Sequence, residues 1–176
     1  MLTQDQLQAA LARVRLVVLD VDGVLTDAGI FLSGNEEFKR YNSRDEAGIK
    51  YLLRHGVGVA VITGRESASV ARWCAGLGIS EVHQRQLQKL PVFLEILERH
   101  GLTPDEVAVM GDDLTDLPLM RQAVVGIAVA DACEEVRQRA EWVTQARGGH
   151  GAVREVAEAI LKAKDLWNKC LERYLA

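Results

Sequence analysis

The stretch Arg15-Leu-Val-Val-Leu-Asp20-Val-Asp22-Gly-Val-Leu-Thr-Asp27 decides the fold of this chain. Its aliphatic run from Leu16 to Leu19 predicts a strand that is buried on both faces, as strands are inside a parallel sheet. Asp20 and Asp22 follow where this strand ends, at the edge where open α/β sheets bind ligands. Two carboxylates at a buried strand end repel each other, and a hard cation such as Mg²⁺ relieves that repulsion. The pair therefore predicts half of a metal site, and the alternative is an ordinary strand-to-turn exit that happens to carry acids.

The composition favours one α/β domain over residues 1–176 and argues against several kinds of partner. Hydrophobic residues make up 48% of the chain but aromatic residues only 5%, which predicts an aliphatic core. A net charge of −4 without basic clusters argues against nucleic acid or an anionic membrane as a partner. The cysteines are far apart and predict neither a disulfide framework nor a zinc site. With no bilayer-spanning segment and no signal-peptide core, we expect a cytoplasmic protein.

Apolar strands alternate with amphipathic helices along the rest of the chain. Further strands are predicted at 57–62, 79–83, 107–110, 126–129 and 142–144. Helices are predicted at 45–55, 67–77, 89–100 and 134–140. This alternation predicts a doubly wound, Rossmann-like parallel sheet with helices on both of its faces.

Two segments stand outside that alternation. Residues 29–42 predict a β-hairpin flap around a Ser-Gly-Asn turn, with more apolar side chains than so small an element can bury alone. We therefore expect the hairpin to pack on the body or on a partner subunit. Residues 147–176 predict a glycine-rich tail followed by one final helix.

Polar residues directly follow several of the predicted strands. These residues are Asp20, Asp22, Thr63, Asp112, Asp113 and Asp116. Parallel strands all end at one edge of the sheet, so the side chains should converge there, and Lys89 at a helix start can reach the same edge. Carboxylates for a cation, combined with a hydroxyl and an ammonium for an anion, are typical of phosphoryl transfer.

The same residues form four motifs in which the chain resembles the haloacid dehalogenase superfamily of aspartate-nucleophile phosphatases. The motifs are Asp20-Val-Asp22-Gly-Val-Leu-Thr, Thr63-Gly-Arg, Lys89 and Gly111-Asp112-Asp113-Leu-Thr-Asp116. The resemblance implies that Asp20 attacks phosphorus and that Asp22 first protonates the leaving alcohol and then activates water. It also implies that Thr63 and Lys89 bind the phosphate oxygens.

The resemblance further implies a Mg²⁺ site. Asp20, Asp112 and the backbone carbonyl of Val21 would hold the ion, and Asp22 is a further candidate ligand that lies nearby. Asp113 and Asp116 would not bind the ion directly but would lie next to its ligands, and Asp116 would orient Lys89 or the waters on the metal.

Within the superfamily, the chain is similar to capless, homotetrameric phosphatases of lipopolysaccharide sugar synthesis, which act on keto-acid sugar phosphates. The intervals between the motifs are too short for a cap domain. The similarity implies that the glycine tail can enter a neighbour's active site. It also implies that the sugar is bound by Asn42, Ser43, Arg44, Asp45, Glu46, Lys50, Arg65 and Arg72.

The identity of the sugar stays open at this stage. An eight-carbon keto-acid sugar phosphate is favoured, and a nine-carbon one is the alternative, because Glu46 and Trp73 depart from the pattern usual in that branch. Two other classes also remain. One is a phospho-acceptor receiver domain, which sets its acids differently, and the other is a catalytically silent assembly domain, which has no need of the acids, Thr63 and Lys89.

Overall fold

The structure, a computed structural model, describes residues 1–34 and 36–175 of the chain. The strands in this part of the chain are β1 (Leu16–Leu19), β2 (Phe31–Ser33), β3 (Glu36–Phe38), β4 (Gly58–Ile62), β5 (Glu81–His83), β6 (Val107–Gly111), β7 (Val125–Ala128) and β8 (Trp142–Val143). The α-helices are α1 (Gln4–Arg13), α2 (Ser43–Arg54), α3 (Ala68–Leu77), α4 (Lys89–His100), α5 (Leu117–Met120), α6 (Glu134–Arg139), α7 (Ala152–Ala163) and α8 (Trp167–Leu175). None of these helices is long and apolar enough to cross a membrane.

Six parallel strands form the central sheet, in the order β5-β4-β1-β6-β7-β8. Strand β1 lies between β4 and β6, so that Leu19 is opposite Val61 on one side and Met110 on the other. Every residue of β1 is buried, because helices cover the sheet: α1 and α2 both pack on α7, and α4 packs on α5. The predicted doubly wound parallel sheet is confirmed.

The hairpin formed by β2 and β3 lies between β1 and α2 in the described chain and is separate from this sheet. Phe31 pairs with Phe38 across it, and Leu32 is 74% exposed. The predicted turn includes Asn35, which lies outside the described residues. Between Asp20 and Lys89 the described chain holds a short helical turn, this hairpin, α2, β4, α3 and β5, and none of these is a cap domain.

The C-terminal segment differs from the prediction of one helix. Asp165 adopts φ 57° and the amide of Leu166 donates to the carbonyl of Leu161, which ends α7 and lets α8 start in a new direction. Helix α7 is part of the core, since Val156 and Ile160 are buried in it against α1 and α2. The part of the C-terminal segment that forms α7 therefore belongs to the core of the domain.

Candidate active site

Three adjacent strands deliver polar residues to one edge of the sheet. Asp20 follows β1, Thr63 follows β4, and Asp112 follows β6. These side chains line a cavity of about 320 Å³. Its other polar lining residues include Asp22, Arg65, Gln86, Lys89, Asp113 and Thr115. The parallel direction of the strands thus brings together, around one cavity, side chains from distant positions between 20 and 115 of the sequence.

Lys89, the first residue of α4, brings a positive charge to the floor of this cavity. Its Nζ atom lies 2.8 Å from Asp20 Oδ1 and 2.7 Å from Asp116 Oδ1, and the side chain is 3% exposed. Burial alone would lower the pKa of Lys89, but the two carboxylates raise it above its ordinary value, so the ammonium stays charged. The buried cation is therefore paired on both sides.

A carboxylate cluster lies beside this lysine. One oxygen from each of Asp20, Asp112 and Asp116 can be chosen so that the three lie within 4.8 Å of one another. Burial, reinforced by repulsion from Asp20 and Asp116, raises the pKa of Asp112 to about 8. Burial and the charge of Asp116 raise the pKa of Asp20 to about 6, although Lys89 opposes them. The cluster carries more negative charge than one lysine compensates.

A divalent cation fits this donor set. Asp112 Oδ1 is buried and has no hydrogen-bond partner among the described residues. Gly23, at φ 94°, lets the backbone approach Asp112 so closely that a Cβ atom there would lie 2.0 Å from Oδ2. A hard cation between Asp20 and Asp112 would favour the ionised form of both carboxylates and satisfy the unpartnered oxygen.

Both carboxylate oxygens of Asp116 accept hydrogen bonds from other groups of the protein. Its Oδ1 atom accepts from Lys89, and its Oδ2 atom accepts from the backbone amides of Asp112 at 3.0 Å and Asp113 at 3.3 Å. The carboxylate therefore orders the loop after β6 and holds Lys89. Asp113 is exposed and lies at the start of the short helical turn that follows β6.

Two other candidate metal ligands, the carbonyl of Val21 and the Asp22 carboxylate, accept hydrogen bonds from the protein. The carbonyl of Val21 accepts from the amide of Thr26 at 3.0 Å and from its hydroxyl at 3.4 Å, which is a correction to its expected place on the metal. Asp22 does not belong to the three-carboxylate cluster. Its Oδ1 atom instead accepts from Lys39 Nζ at 2.5 Å, so the structure does not bring the Asp22 carboxylate to the proposed metal position.

The hairpin contributes two site residues that the sequence analysis missed. Lys39 contacts Asp22, and Glu37 accepts from Arg65 Nη2 at 2.8 Å. Hydrogen bonding from Arg65 holds the pKa of Glu37 below its usual value. A sequence pattern could have identified them. Glu37 and Lys39 are two residues apart, so they lie on the same face of an extended strand, whereas Phe38 between them faces the other way.

Comparison with known proteins agrees with this arrangement. A family model of haloacid dehalogenase-like hydrolases matches residues 71–156. The 3-deoxy-D-manno-octulosonate 8-phosphate phosphatase of Escherichia coli K12 is 45% identical over 152 residues, which are 86% of this chain and 81% of that protein. The chain belongs to the haloacid dehalogenase superfamily.

Solved structures of this superfamily share the fold of the present hydrolase. The 3-deoxy-D-manno-octulosonate 8-phosphate phosphatase of Moraxella catarrhalis, solved with a magnesium ion, a phosphate ion and a KDO molecule, has a TM-score of 0.95 at 35% identity, covering 98% of this chain and 99% of that one. The enzyme of the same name from Yersinia pestis has a TM-score of 0.92 at 40% identity, covering 93% and 89%.

Asp45 and Asn42, both candidates for sugar binding, are helix caps in this hydrolase. Asp45 is 0% exposed and accepts from the backbone amides of Gly151 at 3.0 Å and Arg154 at 2.8 Å at the start of α7. Asn42 caps α2 through the amide of Arg44 and donates to the carbonyl of Gly149 at 3.1 Å. The expected contact of Asp45 with the sugar needs correction, because both of its oxygens bind backbone inside the protein.

The remaining sugar-binding candidates are divided between two places. Arg65 lines the cavity of Asp20, whereas Glu46 and Arg72 line a second cavity of about 410 Å³. Glu46 is paired there with Lys50 at 2.5 Å. Ser43 and Arg44 are exposed at the start of α2 and line neither cavity.

Trp73 gives the second cavity an aromatic wall. Its ring stacks on that of Tyr41 with centroids 4.4 Å apart and planes at 10°. Burial raises the pKa of Tyr41 to about 12, so the phenol stays protonated. The cavity therefore combines a flat aromatic surface with the charged groups of Glu46 and Arg72.

The glycine-rich segment before α7 packs on the loop after β1 in the same chain. The amide of Gly149 donates to the carbonyl of Val24 at 2.9 Å. A Cβ atom at Gly148 would lie 1.7 Å from the carbonyl oxygen of Gly23, so no other residue fits there without a backbone shift. This segment therefore packs on the loop that follows β1 in its own chain.

Replacing Asp45 by alanine is expected to destabilise the protein by about 2–4 kcal/mol, because two amides at the start of α7 lose their acceptor in a buried place. Asp45→Asn, which keeps one acceptor oxygen, should cost less. Chemical denaturation measures both changes. A raised KM with unchanged stability would instead restore the sugar-binding role.

Proposed function

We propose that this hydrolase is a Mg²⁺-dependent phosphatase of 3-deoxy-D-manno-octulosonate 8-phosphate. The observation that carries the chemistry is the buried Lys89, which bridges Asp20 and Asp116 beside the unpartnered carboxylate oxygen of Asp112. The observation that supports the substrate is the 45% identity to an Escherichia coli enzyme of that name. A relative bound to magnesium, phosphate and KDO has the same fold over nearly the whole chain.

The proposed reaction runs in two displacements at phosphorus. An oxygen of Asp20 attacks phosphorus, the bond to the ester oxygen breaks, and Asp22 gives its proton to the leaving sugar oxygen. Asp22 then takes a proton from the water that attacks the aspartyl phosphate, which releases phosphate and restores Asp20. The side chains of Asp20 and Asp22 line the same cavity, as both steps require.

Two further residues would stabilise the charge on the transferring phosphoryl group. Lys89 is a fixed ammonium next to Asp20, and Thr63 is a buried hydroxyl residue at the end of the neighbouring strand. Preorganised donors of this kind act strongly in a site that excludes water. Mg²⁺ held by Asp20 and Asp112 would neutralise further negative charge when bound.

The keto-acid part of the substrate suits the cations at the cavity rim. Arg65 lines the cavity with its side chain 51% exposed, and its guanidinium has further N–H donors for a carboxylate besides the Nη2 group that donates to Glu37. We therefore propose that Arg65 meets the acidic group of the sugar.

Phosphate release from a panel of phosphomonoesters, with and without Mg²⁺, tests this function. The panel contains the eight-carbon keto-acid sugar phosphate, a nine-carbon analogue and simple sugar phosphates. We expect the highest kcat/KM for the eight-carbon ester and no turnover after chelation. Preference for the nine-carbon ester would change the substrate but not the chemistry, whereas no turnover of any ester would leave a silent assembly domain.

Binding of Mg²⁺ is expected to weaken as the pH falls. The pKa of Asp112 is about 8 and that of Asp20 about 6 without a cation, so protons compete with the metal below those values. Between pH about 8 and about 6 the affinity should fall by roughly tenfold per pH unit. Isothermal titration calorimetry measures the trend, with Asp112→Asn as the control that removes a ligand. An affinity independent of pH would contradict this metal position.

The exposed hairpin supports assembly into a homotetramer. Phe31 is 56% exposed, Leu32 74% and Phe38 50%, which is an unusual apolar surface for a two-stranded element. We expect sedimentation velocity to give a tetramer and Leu32→Asp to give smaller species, because a charge would be buried in the contact. A monomeric wild-type protein would contradict the assembly.

A further inference from the structure

Lys39 is a buried lysine that none of the steps above uses. Its side chain is 0% exposed, and its Nζ atom lies 2.5 Å from Asp22 Oδ1 and 3.4 Å from Glu37 Oε1. An ammonium withdrawn from water is costly unless carboxylates compensate it. The structure meets that requirement with one carboxylate from the hairpin and one from the catalytic loop.

Glu37 is itself held in place from the other side. Its Oε2 atom accepts from Arg65 Nη2 at 2.8 Å, and Arg65 Nε lies 3.7 Å from Asp22 Oδ2. The two acids and two bases therefore form a closed group in which both cations face Asp22. Because the side chain of Lys39 is 0% exposed, its ammonium cannot turn to solvent without moving the hairpin.

The contact with Lys39 involves only one of the two carboxylate oxygens of Asp22. Oδ1 is occupied by Lys39, whereas Oδ2 is buried and has no hydrogen-bond partner among the described residues. A carboxylate with one oxygen anchored cannot rotate freely. The second oxygen accepts no hydrogen bond from the described residues, and Asp22 lines the cavity that also contains Asp20.

We propose that Lys39 is a positioning residue that fixes the Asp22 carboxylate, so that Oδ2 is the oxygen that faces the ester oxygen of the substrate. This inference rests on the proposed phosphatase reaction. Breaking the phosphorus–oxygen bond requires the Oδ2 proton to reach the leaving alkoxide, and the same atom accepts a proton from water in the second displacement. The hairpin thus takes part in the chemistry through Lys39.

The test compares two substrates that differ in their need for a proton. An alkyl ester, the sugar phosphate, leaves as an alkoxide that must be protonated, whereas para-nitrophenyl phosphate leaves as a stable anion. For Lys39→Met we expect kcat/KM to fall about 100-fold on the alkyl ester and less than about threefold on the aryl ester. Lys39→Arg keeps the positive charge on a longer side chain. Its kcat/KM on the alkyl ester should fall less, and the loss should again be larger on the alkyl ester than on the aryl ester.

The control is Lys162→Met, which removes another ion-paired lysine, at 3.2 Å from Glu158 on α7, and should change neither value. Equal losses on both esters, or no loss on either, would overturn the positioning role. A wild-type protein inactive on every ester would instead contradict the proposed function.

A crystal structure of each Lys39 variant gives a readout that needs no substrate. We expect the Asp22 carboxylate to leave its present orientation or to occupy several orientations in Lys39→Met. A single, unchanged orientation in that variant would overturn the proposal. If Lys39→Met does not fold, the ester selectivity of Lys39→Arg and its Asp22 orientation decide the matter in the same way.

Discussion

Replacing Asp20 by asparagine is expected to lower kcat for phosphate release by at least about 10⁴-fold, because an amide oxygen is a far poorer nucleophile than a carboxylate. The substitution is nearly isosteric and leaves an oxygen that can accept from Lys89, which now lies 2.8 Å from Asp20 Oδ1. The fold should therefore survive. Steady-state phosphate release measures the loss, and rapid quenching should show no phosphorylated enzyme.

The matched control is Asp105→Asn, which removes an acid whose side chain is 78% exposed in the turn before β6. It should keep full activity. Turnover by Asp20→Asn above about a tenth of the wild-type rate would refute a covalent intermediate on Asp20 and would require water to attack phosphorus directly.

Replacing Lys89 by methionine is expected to lower kcat about 10³-fold, since the transition state loses a fixed cation. The change has a second consequence at Asp20. Lys89 lowers the pKa of that carboxyl, which burial and Asp116 otherwise raise, so the variant's Asp20 should be protonated up to a higher pH than about 6. Less of the nucleophile is ionised at neutral pH, and the acidic limb of the rate profile should move towards higher pH.

The dependence of kcat/KM on pH separates these two effects, with Lys162→Met as the control that removes an exposed lysine. Thermal unfolding should show a loss of about 3–5 kcal/mol of stability, because the carboxylates of Asp20 and Asp116 lose the buried cation that lies between them. An acidic limb that stays in place would mean that Lys89 does not set the ionisation of Asp20.

Much of the site could be predicted from the sequence, because local patterns determine it. The aliphatic run before Asp20 makes a buried strand wherever it occurs, and parallel strands place their following residues at one edge. This is why Asp20, Thr63 and Asp112, far apart in sequence, line one cavity. Helix α4 has the predicted bounds for the same reason, since Gly101 ends an uninterrupted amphipathic pattern.

The partners of individual side chains could not be predicted in this way. Asp45 has the residue type and position of a sugar ligand, but it caps helix α7, whose N-cap residue Gly151 lies 106 residues later in the chain. The hairpin residue Lys39 looks like a solvated lysine in the sequence, yet it is buried against Asp22. A motif fixes which chemical groups a segment carries, whereas the element that packs against it decides which of them are used.

By itself, the sequence of this protein determined the order of its strands and helices, the parallel sheet and the edge at which the acids gather, because these depend on periodicity and on the direction of the strands. Only the tertiary structure decided that Asp22 binds Lys39, that Asp45 caps α7 and that the last segment is two helices, of which α7 lies in the core. The physical reason is desolvation. A buried charge or amide must find a partner within about 3 Å, and that partner is supplied by whichever distant part of the chain is folded against it.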